Sequence, residues 1–276
     1  MEKIKENKTF DGFTRIYEFD SPSTKTKMKF STFEPKAGKV KKAIIWLSGL
    51  TCNEENFITK AGGQALLAEK DVMIICPDTS PRGLDLPSEH ESYDFGSGAG
   101  FYINAKTKGY EDHYQMYDFI KNDIVNILKS EFGVERVSIM GHSMGGHGAL
   151  ILGLNEKDLF KSISAFSPLA NPINCEWGQK AFKGYLGENW KIDAVKYDAT
   201  SLVQNGANHP LPILIDQGTS DEFYPEQLLT QNFENACKEH NQKVRVNLRD
   251  GYDHSYFFIS TYLKNHIDFH LKALNV

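Results

Sequence analysis

Cysteine is scarce in this chain. Cys52, Cys76, Cys175 and Cys237 are the four among 276 residues, and no two of them form a C-x-x-C pair. That spacing argues against a disulfide-stapled scaffold and against a zinc site, so free thiols and no bound metal are expected. Long apolar runs are missing too. No uncharged stretch approaches membrane-spanning length, and the opening residues mix Lys3, Lys5 and Lys8 with Glu2 and Glu6 instead of forming a signal-like apolar core. Neither insertion nor secretion is expected, and a cytoplasmic location is the default. Positive charge is in deficit, with 31 Lys and Arg against 36 Asp and Glu, a net charge of -5 and a sequence pI near 6.0. There is no basic field to hold a phosphate backbone, so no nucleic-acid partner is expected.

What remains is an ordinary apolar content, 40% hydrophobic and 24% charged, enough to bury a substantial core in a single domain over residues 1–276. Strand-like runs at Met28–Phe33, Ala43–Leu47, Val72–Cys76, Val137–Met140, Ser162–Phe166, Pro212–Asp216 and Val244–Leu248 alternate with helix-like runs. Several are continuously apolar, as strands buried on both faces should be. Tyr117, Ile120, Ile124, Ile127 and Leu128 make one helical stripe within residues 114–132, and Leu228, Leu229, Phe233 and Cys237 make another. The alternation predicts an α/β fold, a mostly parallel central sheet covered by helices on both faces. Two weakly periodic stretches, residues 77–100 and 167–200, follow strand ends, where such sheets bind ligands, and both read as active-site loops.

Gly141-His142-Ser143-Met144-Gly145 lies between the apolar run Val137-Ser138-Ile139-Met140 and the small-residue run Gly145-Gly146-His147-Gly148-Ala149. A strand, a sharp turn and a helix in that order turn G-x-S-x-G from a string match into a nucleophile elbow. Ser143 is therefore the expected nucleophile, with glycines on either side because a strained turn leaves no room for bulk. A serine hydroxyl needs a general base, and the base needs an orienting acid. His254 follows the strand Val244–Leu248 and a turn, just before the aromatic run Tyr256-Phe257-Phe258 that would back its ring. It is expected as the base, so activity should fall as acid protonates it. His266 and His270 lie one turn apart on a C-terminal amphipathic helix and read as a solvated face. For the acid, Asp216 still belongs to its strand, whereas Asp221 lies past Gly218 in the loop and is the stronger choice. A helix N-cap is the competing role for Asp221, and Asp253 reads as a turn residue. His142 and His147 precede the acid and are expected to pack or orient.

An oxyanion needs paired N–H donors. Met144, the residue after the nucleophile, supplies one. The second is expected from Leu50, in the loop that ends the strand at Trp46-Leu47-Ser48-Gly49, although a simple tight turn at Ser48-Gly49 would look the same.

The segments Leu47–Asn53, Pro77–Gly83, Asp94–Phe101, Gly141–Gly148, Trp177–Gly187 and Gly251–Tyr256 resemble the S-formylglutathione hydrolase family, also called esterase D, in order and over nearly the whole chain. The resemblance implies an α/β-hydrolase fold in which Ser143, Asp221 and His254 form the triad, with Leu50 and Met144 as oxyanion donors. It implies hydrolysis of the small-molecule thioester S-formylglutathione to glutathione and formate in formaldehyde detoxification, no metal or organic cofactor, and a homodimer. Trp177 reads either as a wall of a tight acyl pocket or as core. Cys52, beside the oxyanion loop, reads either as a small buried hydrophobe or, by the resemblance, as a thiol that touches substrate and responds to modifying agents. A general short-chain carboxylesterase and an acyltransferase on the same fold are the alternative activities.

Overall fold

In the computed structural model, which describes residues 1–36 and 40–275, the strands are β1 (Glu2–Thr9), β2 (Gly12–Ser21), β3 (Thr26–Pro35), β4 (Lys42–Leu47), β5 (Val72–Pro77), β6 (Arg136–His142), β7 (Phe160–Phe166), β8 (Ile213–Gly218) and β9 (Val244–Arg249). They form one sheet in the order β1-β2-β3-β5-β4-β6-β7-β8-β9. Every pairing from β5 through β9 is parallel, while β1, β2 and β3 join one edge antiparallel. The helices are α1 (Asn56–Lys60), α2 (Gly63–Leu67), α3 (Met116–Asp118), α4 (Val125–Ser130), α5 (Met144–Asn155), α6 (Glu176–Leu186), α7 (Trp190–Ala194), α8 (Ala199–Gln204), α9 (Thr230–Glu239) and α10 (Tyr256–Leu274).

Strand alternation explains the continuous apolar runs. Ile45 and Leu47 of β4 join the core beneath α5, with Ile139, Leu150 and Ile163. Ile44 and Trp46, pointing the other way, join Met140, Phe166, Phe258 and Leu263 beneath α10. A strand that feeds two cores needs apolar residues at successive positions. Every expected strand is present, but β1 and β2 were not foreseen. The β1 sequence EKIKENKT is solvent-exposed on both faces except at Thr9, so no apolar pattern marks it, and its lysines suit an edge. Strand β2 buries Thr14 and Ser21 while leaving Phe13 partly exposed, which blurs its alternation.

Two further expectations need correction. Residues 77–100 form a loop as expected, but residues 167–200 are largely helical, containing α6 and α7. Gly178 and Gly184 give α6 the look of a loop, yet both are packing glycines: a Cβ at Gly178 would lie 2.1 Å from the Pro172 carbonyl oxygen and one at Gly184 would lie 2.2 Å from the Phe95 ring. The second correction concerns His266 and His270, which are completely buried on α10. Strand serines receive them. The His270 Nδ1 bonds the Ser162 hydroxyl and its Nε2 the Ser164 hydroxyl, each at 2.7 Å, and His266 Nδ1 meets Ser164 at 2.8 Å. The run expected as a helix over residues 114–132 is helical from Met116 to Ser130, with a π-helical turn at Phe119–Ile124. Among the described residues no helix is long and apolar enough to cross a membrane.

Candidate active site

The parallel strands deliver their C-terminal ends to one edge of the sheet, and the expected residues gather there. Ser143 follows β6 with φ 59° and ψ -119°, a positive φ that costs a non-glycine residue about 1–3 kcal/mol. Its amide donates to the Phe166 carbonyl at 3.0 Å, and its own carbonyl accepts from the His147 amide at 2.9 Å, starting α5. The flanking glycines are required by contact: a Cβ at Gly141 would lie 2.2 Å from the Gly145 carbonyl oxygen, and one at Gly145 would lie 2.0 Å from that of Leu47. Met144 is therefore the first residue of α5, where an amide has no partner within the helix.

The loop after β4 runs directly over this turn, since a Cβ on Gly49 would sit 3.2 Å from the Ser143 Cβ. The Leu50 amide, next along, donates to no protein acceptor among the described residues. Its neighbours are held from outside the loop. The Tyr102 hydroxyl donates to the Ser48 carbonyl at 2.9 Å, the Thr51 amide donates to Gly98 at 3.0 Å, and the Cys52 carbonyl accepts from Thr79 Oγ1 at 2.6 Å and Arg82 Nη2 at 2.8 Å. Arg82 is fixed in turn by Asp78 at 2.7 Å. Tyr102, Thr79, Arg82 and Asp78 escaped the sequence reading as positioning groups; all lie in or beside motifs quoted for the resemblance, and that was the available signal.

At the far side, Gly218 ends β8 where a Cβ would meet the Tyr252 carbonyl oxygen at 2.3 Å. This close approach lets the loops after β8 and β9 zip together, with the Ser220 amide donating to Tyr252 at 3.0 Å. The zip brings His254 Nδ1 to Asp221 Oδ2 at 2.6 Å. An ionised carboxylate only accepts, so Nδ1 carries the proton and Nε2 is left as the basic nitrogen. Asp221 also accepts from the Phe223 amide at 3.0 Å and from Gln217 Nε2 at 3.3 Å, a local turn contact beside the pairing to histidine. It is not the helix N-cap that was its competing role, since Phe223 holds that position before Tyr224–Leu228. Asp216 instead stays in its strand and binds Asn247 at 2.6 Å and Arg249 at 2.9 Å. Asp253 accepts from the Ser255 amide and hydroxyl at the start of α10.

His254 is steadied by different groups from those expected. Phe223 packs edge-on at 5.0 Å and the His142 ring lies 4.4 Å away. Of the aromatic run, Phe258 is buried but Phe257 is 83% exposed, because α10 begins at Tyr256 and its rotation turns the next residue outward. Burial, reinforced by His254, holds His142 well below the ordinary histidine range and so uncharged. His147 is pushed down to about 4 by burial, and its Nε2 bonds the Phe101 carbonyl at 3.0 Å.

Ser143, His254, Leu50, Cys52 and Trp177 line one cavity of about 320 Å³, together with Asn56, Lys60, Tyr93, Phe223 and Tyr256. Trp177 lines this cavity and is nearly buried: its Nε1 donates to the Tyr93 hydroxyl at 3.1 Å and its ring packs on Phe223 at 4.7 Å. All four cysteines are unpaired, and burial raises the Cys52 thiol above its usual range, which disfavours the reactive thiolate. Among the described residues no group of His, Cys, Asp and Glu is arranged to hold a metal ion.

Comparisons with known proteins bear on the family. Residues 21–269 match the family described as "Putative esterase". The chain is 46% identical to an S-formylglutathione hydrolase of Arabidopsis thaliana, over 100% of this chain and 99% of the relative. It is 45% identical to one of Rattus norvegicus, with the same coverage. A solved S-formylglutathione hydrolase from Agrobacterium tumefaciens superposes with a TM-score of 0.96 at 37% identity, over 99% of this chain and 100% of that one. With full-length relatives at this identity and an α/β-hydrolase fold built around the serine elbow, the chain belongs to the S-formylglutathione hydrolase family of esterases.

Proposed function

We propose that this enzyme hydrolyses S-formylglutathione to glutathione and formate, the hydrolytic step of formaldehyde detoxification, through Ser143, His254 and Asp221. The observation that carries the reading is the 2.6 Å bond from His254 Nδ1 to Asp221, with the same imidazole sharing a cavity with Ser143. Asp221 fixes the tautomer and stabilises the imidazolium without taking its proton. Nε2 removes the Ser143 proton as Oγ attacks the formyl carbon, and the Leu50 and Met144 amides receive the developing oxyanion. Collapse breaks the carbon–sulfur bond, and His254 returns the proton to the departing thiol. Water, deprotonated by the same nitrogen, then attacks the formyl-serine ester; the bond to Ser143 Oγ breaks, His254 returns the proton to Oγ, and formate leaves. The neutral His142 ring lets the adjacent imidazolium form without like-charge repulsion.

The direct test is loss of thioester absorbance when purified protein meets S-formylglutathione, and an inert protein would sink the reading. Trp177 is assigned as the wall that limits acyl size, so Trp177→Ala should lower the formyl-over-butyryl ratio of kcat/KM about tenfold, in line with the limited discrimination that apolar pocket volume provides. An unchanged ratio would return Trp177 to a purely packing role.

A further inference from the structure

Among the residues lining the cavity, one carries a fixed cation. Lys60 ends α1 with its ammonium exposed, 5.7 Å from the centre of the Tyr256 ring. No described carboxylate pairs with it, and the acid nearest in sequence, Glu55, lies against Lys5 at 3.5 Å. His254 also borders a second hollow, lined by Ser220, Glu222, Asp253 and Ser255. The mouth of the site is thus polarised, with an unpaired ammonium on the α1 side and two exposed carboxylates on the side of the loops after β8 and β9. Ser255 already donates to Asp253 Oδ1, which keeps that carboxyl ionised, while Glu222 makes no ion pair among the described residues.

A thioester of glutathione carries complementary charge. Its glycyl end is a bare carboxylate, the one purely anionic end, and its γ-glutamyl end is a zwitterion whose ammonium stands beside an α-carboxylate. We propose that Lys60 is a specificity residue that takes the glycyl carboxylate, while Glu222 and Asp253, in the neighbouring hollow that His254 also lines, take the γ-glutamyl ammonium. The assignment rests on the proposed reaction and orients the thiol half of the substrate across the triad. An exposed pair of this kind is modest and screened by salt.

The experiment crosses protein variants with substrate variants. In Lys60→Met the ratio of kcat/KM for S-formylglutathione to that for p-nitrophenyl acetate should fall about fivefold, through KM, and in Lys60→Glu further. Wild-type enzyme should prefer S-formylglutathione to the S-formyl derivative of glutathione glycyl ethyl ester by a similar factor, a preference that shrinks in 0.5 M salt by screening, as expected at about that ionic strength. Lys60→Met should not distinguish the two thioesters. Glu222→Gln combined with Asp253→Asn should likewise stop distinguishing S-formylglutathione from its N-acetyl form, with Glu222→Gln alone narrowing the difference, and a double variant that discriminates as the wild type does overturns the acidic half of the assignment. An active wild type together with a Lys60→Met enzyme that still discriminates the ethyl ester overturns this assignment and leaves the reaction standing. A wild type inert toward S-formylglutathione overturns both.

Discussion

Ser143 combines two costs in one residue, a positive φ and a place where substitution removes the expected nucleophile. Ser143→Ala keeps the strained backbone and loses the hydroxyl. Turnover should drop by at least about 10³-fold with the melting temperature nearly unchanged. Ser143→Gly should be equally inactive but more stable than the alanine variant by about 1 kcal/mol in urea titration, since glycine relieves the positive φ. Equal stability of the two would argue against stored strain. A second residue-scale prediction concerns Tyr102, whose hydroxyl holds the Ser48 carbonyl and thereby the loop bearing Leu50. Tyr102→Phe should lower kcat about tenfold with KM little changed, because a displaced oxyanion donor matters most in the transition state. A change in stability with kcat intact would reduce Tyr102 to packing.

At the scale of elements, α10 contributes more than an amphipathic cover. Its His270 spans two strand hydroxyls and its His266 shares one of them, while the Phe166 ring stacks on His266 at 3.8 Å. Ser138 continues the chain by bonding Ser162 at 2.8 Å. His270→Ala should therefore cost about 3 kcal/mol in chemical denaturation, from a cavity and buried hydroxyls left unpaired. A solvent-facing histidine would cost less than about 0.5 kcal/mol. The sequence reading went astray here because a histidine pair one turn apart looks the same on a wet face and on a face that meets buried serines. The informative signal lay elsewhere, in Ser138, Ser162 and Ser164 inside otherwise apolar strands. Similarly, α6 was hidden by glycines that the Phe95 ring and Pro172 require, contacts between segments far apart in the chain. The elbow suffered no such ambiguity, because strand, turn and helix are adjacent in sequence and each is marked locally.

For the whole molecule, the buried histidines couple stability to pH. His142, His147, His266 and His270 are all held below the ordinary histidine range, with desolvation as the leading cause. The folded protein keeps them neutral while the unfolded chain protonates near pH 6.5, so in that window the unfolded state binds more protons. Stability should be level above about pH 7 and decline as pH falls from about 6.5 toward 4.5, by up to about 1.4 kcal/mol per unit for each histidine that stays unprotonated. The carboxyls of Glu54 and Asp198, raised mainly by burial, oppose this trend only nearer the carboxylate range. Melting temperatures in buffers of matched ionic strength would check it. A curve flat down to pH 5 would contradict neutral burial.

The amino-acid sequence alone determined the parallel strands and the strand–turn–helix around Ser143, because hydrophobic periodicity and glycine placement are local and mark buried strands and tight turns directly. It also pointed to Asp221 and His254 as the expected acid and base through their position just beyond strand ends. Only the tertiary structure decided that these two meet at 2.6 Å, that Tyr102 and Arg82 hold the loop over Ser143, and that His266 and His270 are interior. Each of those outcomes depends on which distant segments come into contact, and local pattern, even where it marks a residue as unusual, does not say which distant partner it meets.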